Sequence, residues 1–90
     1  MEKSYIIEVI TKDAPYISLG YVSEFDGDDV KLAKEQGAAK FFTDKEELFA
    51  AAKIINEWWK HGKVYAMAWF YEVNPNGWPL TKRVFPKDIV

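Results

Sequence analysis

Ser4 to Thr11 (SYIIEVIT) is rich in β-branched side chains, which predicts a first strand. Lys12-Asp13-Ala14-Pro15 is turn chemistry. Tyr16 to Phe25 then alternates, with Ile17, Leu19 and Tyr21 on one side and Ser18, Gly20 and Val22 on the other. That period predicts a second strand, antiparallel to the first through a short hairpin. Asp26-Gly27-Asp28-Asp29 breaks the alternation. With Asp28 or Asp29 as cap and Gly37 as stop, a short helix is expected over Val30 to Gln36. Ala38 to Phe42 reads as a short extended segment.

The strongest periodicity follows. Thr43-Asp44-Lys45-Glu46 fits a capping box, Thr43 accepting from the Glu46 amide while Glu46 reaches back. Leu48, Ala51, Ala52, Ile55, Trp58 and Trp59 recur at helical spacing as far as Lys60-His61, and Gly62 closes the helix. Asp44, Glu46 and Glu47 put negative charge in the first turn, where the helix dipole favours it. Lys63 to Val73 (KVYAMAWFYEV) predicts a third strand that is apolar on both faces. Its small face is Val64, Ala66 and Ala68, suited to close approach of the helix through Ala51 and Ala52. Its large face is Tyr65, Met67, Trp69 and Tyr71, which needs a second cover, from loops or from another molecule. Asn74-Pro75-Asn76-Gly77 is a turn leading to a last strand from Trp78 to Phe85. The fold class expected is α+β: one domain spanning residues 1–90, with a small antiparallel β-β-α-β-β sheet on one main helix and an extra short helix.

Composition narrows the function classes. Ninety residues with no cysteine and one histidine exclude a disulfide framework, thiol chemistry and any Cys/His zinc site. The net charge of −2 argues against general binding of nucleic acid by phosphate neutralisation. No apolar stretch approaches the ~20 residues of a membrane helix. The opening residues Met-Glu-Lys-Ser lead into a strand-like run without the regions of a signal peptide, so no membrane partner and a cytoplasmic location are expected.

Candidate chemistry fails position by position. Counted from Asp26, the acidic run puts a glycine second and Gly37 twelfth, which is not a calcium loop. Ala33-x-x-x-Gly37 could be a helix-turn-helix turn, but the following helix would then turn Asp44, Glu46 and Glu47 towards phosphates. His61 at a helix end suits the last carbonyls, with no nucleophile singled out near it. The adjacent pairs Asp28/Asp29 and Glu46/Glu47 cannot face each other, and the five glycines are scattered rather than gathered into a phosphate loop. No catalytic, cofactor-binding or metal-ligating residue is therefore assigned.

The aromatic set is what remains, at 17% of the chain with four tryptophans. Trp58 and Trp59 diverge by ~100° on a helix, so both cannot point centrally into one core. The candidate interface is Trp58, Trp59, Tyr65, Met67, Trp69, Tyr71 and Trp78, because large exposed apolar patches on soluble monomers are rare.

The run Ala39-Lys40-Phe41-Phe42-Thr43-Asp44-Lys45-Glu46-Glu47, followed by an alanine-rich helix, a glycine and a strand, resembles small uncharacterised proteins of phages and prophages of Gram-positive bacteria. In those, a strand pair precedes A-K-x-F-x-[ST]-x-E-E-A, an amphipathic helix and a closing strand. The resemblance covers residues 4–73. This chain departs from it in placing Leu48 where alanine is usual and in adding the hairpin from Asn74 onward. It implies a phage- or prophage-derived accessory protein and carries no active-site residues to transfer. The expected function is non-enzymatic protein–protein interaction, as a homodimer or with a host or phage protein. The alternative is a nucleic-acid-associated protein using the sheet aromatics with Lys82 and Arg83, supported by Lys60 and Lys63.

Overall fold

In the computed structural model, which describes residues 3–73 and 81–89, the chain forms five strands and one main helix. The strands are β1 (Ser4–Thr11), β2 (Ser18–Phe25), β3 (Val30–Ala33), β4 (Ala66–Val73) and β5 (Thr81–Val84), and the helix is α1 (Lys45–Asn56). They make one sheet in the order β3-β2-β1-β4-β5, antiparallel at every neighbouring pair. The fold is α+β, as the hydrophobic pattern predicts.

β1 lies at the centre of the sheet and buries apolar side chains on both alternations. Tyr5, Ile7 and Val9 join Val22, Phe42, Leu48, Ala51, Ala52, Ile55, Ala66 and Phe70 in the core beneath α1. Ile6 and Ile10 are also buried, yet they stand outside that core, on the opposite face. Phe70 pairs with Ile7 and meets Phe49 of α1 edge-on, ring centroids 5.8 Å apart. Ala66 and Ala68 let the helix approach closely through Ala51 and Ala52. Val64, expected on this small face, is instead exposed, because β4 begins two residues later at Ala66.

Three local expectations are corrected. The short helix over Val30–Gln36 does not form; Val30–Ala33 is β3, followed by a single 3-10 turn at Gln36–Ala38. The reason lies in the acidic run. The Asp26 carboxylate accepts from the amides of Asp28 and Asp29, both at 2.9 Å, which makes a tight turn of residues read as a helix cap. The chain then returns along β2, burying Val30 beside Phe25. Secondly, the cap of α1 is Asp44, not Thr43: Asp44 Oδ1 accepts from the Glu46 amide at 2.9 Å. Thirdly, α1 ends at Asn56 and tightens into a 3-10 turn at Trp58–His61, which Gly62 stops in a left-handed conformation at φ 76°. The extended segment expected over Ala38–Phe42 begins after Ala38, which belongs to the 3-10 turn. Phe42 bridges to Tyr5 through paired backbone bonds of 2.8 and 2.9 Å and is fully buried.

β1 and β2 are offset by a bulge, Val9 opposing Gly20 and Ile10 opposing Ser18. Gly20 sits there at φ 122°, and a Cβ would come within 2.6 Å of the Ala33 carbonyl oxygen. Only glycine fits this position without moving β3.

Candidate functional site: the open face of the sheet

α1 packs on one face of the sheet. The other face carries the second alternation of the strands and lies outside the core cluster beneath the helix. The register assembles it. Ile6 lies opposite Tyr71, Glu8 opposite Trp69 and Ile10 opposite Met67, while Tyr21 of β2 flanks Glu8 on its other side. Arg83 of β5 lies opposite Tyr71. On this face Ile6 and Ile10 are only 1% and 4% exposed, while Met67, Trp69 and Tyr71 are half-buried.

At the centre sits one carboxylate. The Tyr71 hydroxyl donates to Glu8 Oε1 at 2.7 Å, a short, charge-assisted hydrogen bond. Burial, then the bond to Glu8 and its negative charge, raise the Tyr71 phenol above its ordinary value, with Arg83 pulling weakly the other way. The Tyr21 phenol is raised as well, by burial first and then by the charge of Glu8. Two tyrosines thus hold their protons against one carboxylate, which suits a fixed polar centre within an aromatic face.

Beside it, Arg83 is clamped by stacking. Its guanidinium carbon lies 3.7 Å from the centre of the Trp69 ring and 4.9 Å from that of Phe85. Among the described residues no carboxylate pairs with it. Stacking on the two rings holds the planar fork of N–H donors in place.

The aromatic residues singled out in the sequence divide between three places. Met67, Trp69 and Tyr71 form the open face. Trp58 is 8% exposed and belongs to the helix-side core. Trp59, 52% exposed, meets the Tyr65 ring edge-on at 6.4 Å, at the end of the sheet where β1 finishes and β4 begins. Lys12 lies over Tyr65 and Lys60 over Trp59 there. Trp78 and the turn from Asn74 to Gly77 lie outside the described residues. Glu8, Tyr21, Ile6 and Ile10 are members of the face that sequence reasoning missed. The lone charge inside the apolar run of β1 was the available signal for Glu8.

Two further clefts exist. A hollow of about 120 Å³ lies at the β2–β3 turn between Glu24, Phe25, Asp26, Asp29 and Lys31. A shallow groove of about 390 Å³ runs beside α1 over Phe49, Ala52, Ala68, Phe70 and Pro86. Among the described residues no three acidic or histidine side chains gather to hold a metal ion, and no helix is long and apolar enough to cross a membrane. Compared with family models, with curated proteins and with solved structures, the chain matches none.

Proposed function

We propose that the protein is a non-enzymatic interaction protein that acts through the open face of its sheet and associates with a second copy there. The observation behind this reading is the aromatic layer of Met67, Trp69, Tyr71 and Tyr21 on the face opposite α1, outside the core cluster beneath the helix. A strand residue covers ~16 Å² of sheet, from a rise of ~3.3 Å and a strand spacing of ~4.8 Å. Three strands of eight residues and two of four then present about 500 Å². Two such faces in contact bury about 1,000 Å², the lower bound for a specific interface. The edges favour the face over strand addition, since β3 and β5 are only four residues long and short edge strands blunt edge pairing. The setting, an accessory protein of phage or prophage origin, rests on the sequence resemblance over residues 4–73 alone.

A nucleic-acid role through the same aromatics and Lys82 and Arg83 competes with this reading. Stacking of a base needs a free ring face. Arg83 already lies against Trp69, and the net charge of −2 offers no general attraction for phosphate.

The test is sedimentation velocity over a concentration series. The wild type should approach twice its 10.4 kDa chain mass by the high micromolar range. Met67→Glu, a half-buried side chain on the face, should weaken that association by at least about tenfold. A wild type that keeps single-chain mass throughout would remove the reading.

A further inference from the structure

We propose that the end of the sheet where β1 finishes and β4 begins is a docking patch for an anionic lipid surface. It is separate from the open face, since Trp59 and Tyr65 precede the first residue of β4 whereas Met67, Trp69 and Tyr71 lie within that strand. Among the described residues seven large apolar side chains are exposed, and five of them gather at this end: Tyr16, Ile17, Trp59, Val64 and Tyr65, each 42% to 63% exposed. Backbone bonds bring them together from three parts of the chain. The Thr11 amide donates to the Ile17 carbonyl at 2.9 Å, and the Lys12 amide donates to the Tyr65 carbonyl at 3.0 Å. The Lys63 amide donates to the Trp58 carbonyl at 3.0 Å, and the Trp59 ring meets that of Tyr65 edge-on. Exposed apolar residues scattered singly are ordinary, whereas five at one end mark a contact surface.

The charge of this end says what it contacts. Lys12 Nζ lies 5.2 Å from the centre of the Tyr65 ring, and Lys60 and Lys63 each lie 5.9 Å from the centres of Trp59 and Trp58. The acids beside them are Asp13 and Glu57, the latter 3.9 Å from Lys60, and His61 is the remaining titratable side chain there. The opposite end of the sheet carries the reverse sign. β2 finishes there in the turn that bears Glu24, Asp26, Asp28 and Asp29, with Lys31 as its cation. A negative surface therefore draws the chain in with the aromatic end leading. Tryptophan and tyrosine beside lysine is the chemistry of a bilayer interface: the rings enter at headgroup depth, and the lysine stems follow them while the ammonium groups stay at the phosphates. Contact of this kind lies in the interface plane and needs no spanning helix. None of the five apolar residues lines either cleft described above, which suits an occupant of no fixed shape. A nucleic acid would instead stack on ring faces that the lysines already overlie.

The test is co-sedimentation with sucrose-loaded vesicles of phosphatidylcholine, alone or with one-third phosphatidylglycerol. The wild type should bind the anionic vesicles at least about tenfold more tightly than the neutral ones, and less tightly as salt is raised. Lys12→Gln and Lys63→Gln should each weaken that binding about fivefold, the contribution of one lysine at an anionic surface, while Lys31→Gln at the acidic end should leave it unchanged. Lipids brominated on their acyl chains should quench the tryptophan emission of the wild type. Most of that quenching should vanish in Trp59→Leu, a replacement at an exposed position outside the core. Far-UV circular dichroism checks that each variant folds. No binding to anionic vesicles at low salt overturns the proposal, as does equal binding to neutral ones. Equal losses from Lys12→Gln and Lys31→Gln, or quenching that survives Trp59→Leu, overturn it too. Displacement of the vesicles by a single-stranded oligonucleotide would assign the patch to nucleic acid instead.

Discussion

Removing one hydroxyl from the open face, by Tyr71→Phe, tests the reasoning about its polar centre. The bond from the Tyr71 hydroxyl to Glu8 is 2.7 Å long and ends on a carboxylate. Hydrogen bonds to charged groups contribute about 1.5–3 kcal/mol, and partial exposure of this pair brings the expected loss to the lower limit of that range or just below it, about 1–1.5 kcal/mol. In a domain of this size that lowers the melting temperature by roughly 5–10 °C. The assay is urea unfolding followed by tryptophan fluorescence at one fixed protein concentration, since association would otherwise shift the midpoint. The pH dependence adds a sign. Tyr71 has its folded pKa raised above 10.0, so its contribution is complete below the unfolded value. It is lost as the pH rises from 10 towards the folded value, where the unfolded chain releases the proton and the folded chain keeps it. Phenylalanine has no such proton, so the gap between wild type and variant should narrow above pH 10. Tyrosinate absorbance should agree, with the variant losing a late-titrating phenol from the five tyrosines of the wild type. A variant as stable as the wild type at pH 7, with a parallel decline above pH 10, would refute the account of this centre.

Three further expectations concern the frame that holds the face. Gly20→Ala should cost about 2–3 kcal/mol in urea unfolding, because φ 122° strains an L-residue and the new Cβ meets the Ala33 carbonyl oxygen at 2.6 Å; a cost under about 0.5 kcal/mol would contradict it. Asp44→Ala should cost about 1 kcal/mol and Thr43→Ala much less, since Asp44 holds the Glu46 amide; the reverse order would restore Thr43 as the cap. Asp26 has its carboxyl held below the usual 3.8 by the amides of Asp28 and Asp29. Its contribution is present above 3.8 and fades as the pH falls through the lowered folded value, so the stability gap to Asp26→Ala should be constant from pH 8 to 5 and close towards pH 2. A gap that widens in acid would be the wrong sign.

How much of this was legible depended on how local each signal is. The alternation in KVYAMAWFYEV announces a strand with a small face and a large one, and Ala66, Ala68, Met67, Trp69 and Tyr71 fall on the faces so read. Gly62 stops the helical segment as its freedom at positive φ allows. The acidic run misled because Asp caps helices and closes turns by the same hydrogen bond to a nearby amide; whether Val30–Ala33 continues as helix or strand is decided by pairing with β2, which is not a local property. The same ambiguity moved the cap of α1 by one residue. Trp58 and Trp59 must diverge, but which of them turns inward depends on the change from α to 3-10 winding after Asn56. The Glu8–Tyr71 bond spans 63 residues of sequence, and the Arg83–Trp69 stack requires β5 to pair with β4 in one register. Those contacts, which give the open face its polar centre and its clamped cation, exist only once the sheet order is set.

The central claim, that the open face is where two copies meet, is tested most directly by isotope-filtered nuclear Overhauser measurements on a mixture of labelled and unlabelled chains. The account predicts cross-chain contacts from the rings of Trp69 and Tyr71 to the same face of the partner. Cross-chain contacts arising only from Trp59 and Tyr65 at the end of the sheet, or none at concentrations where the mass is that of a dimer, would contradict it.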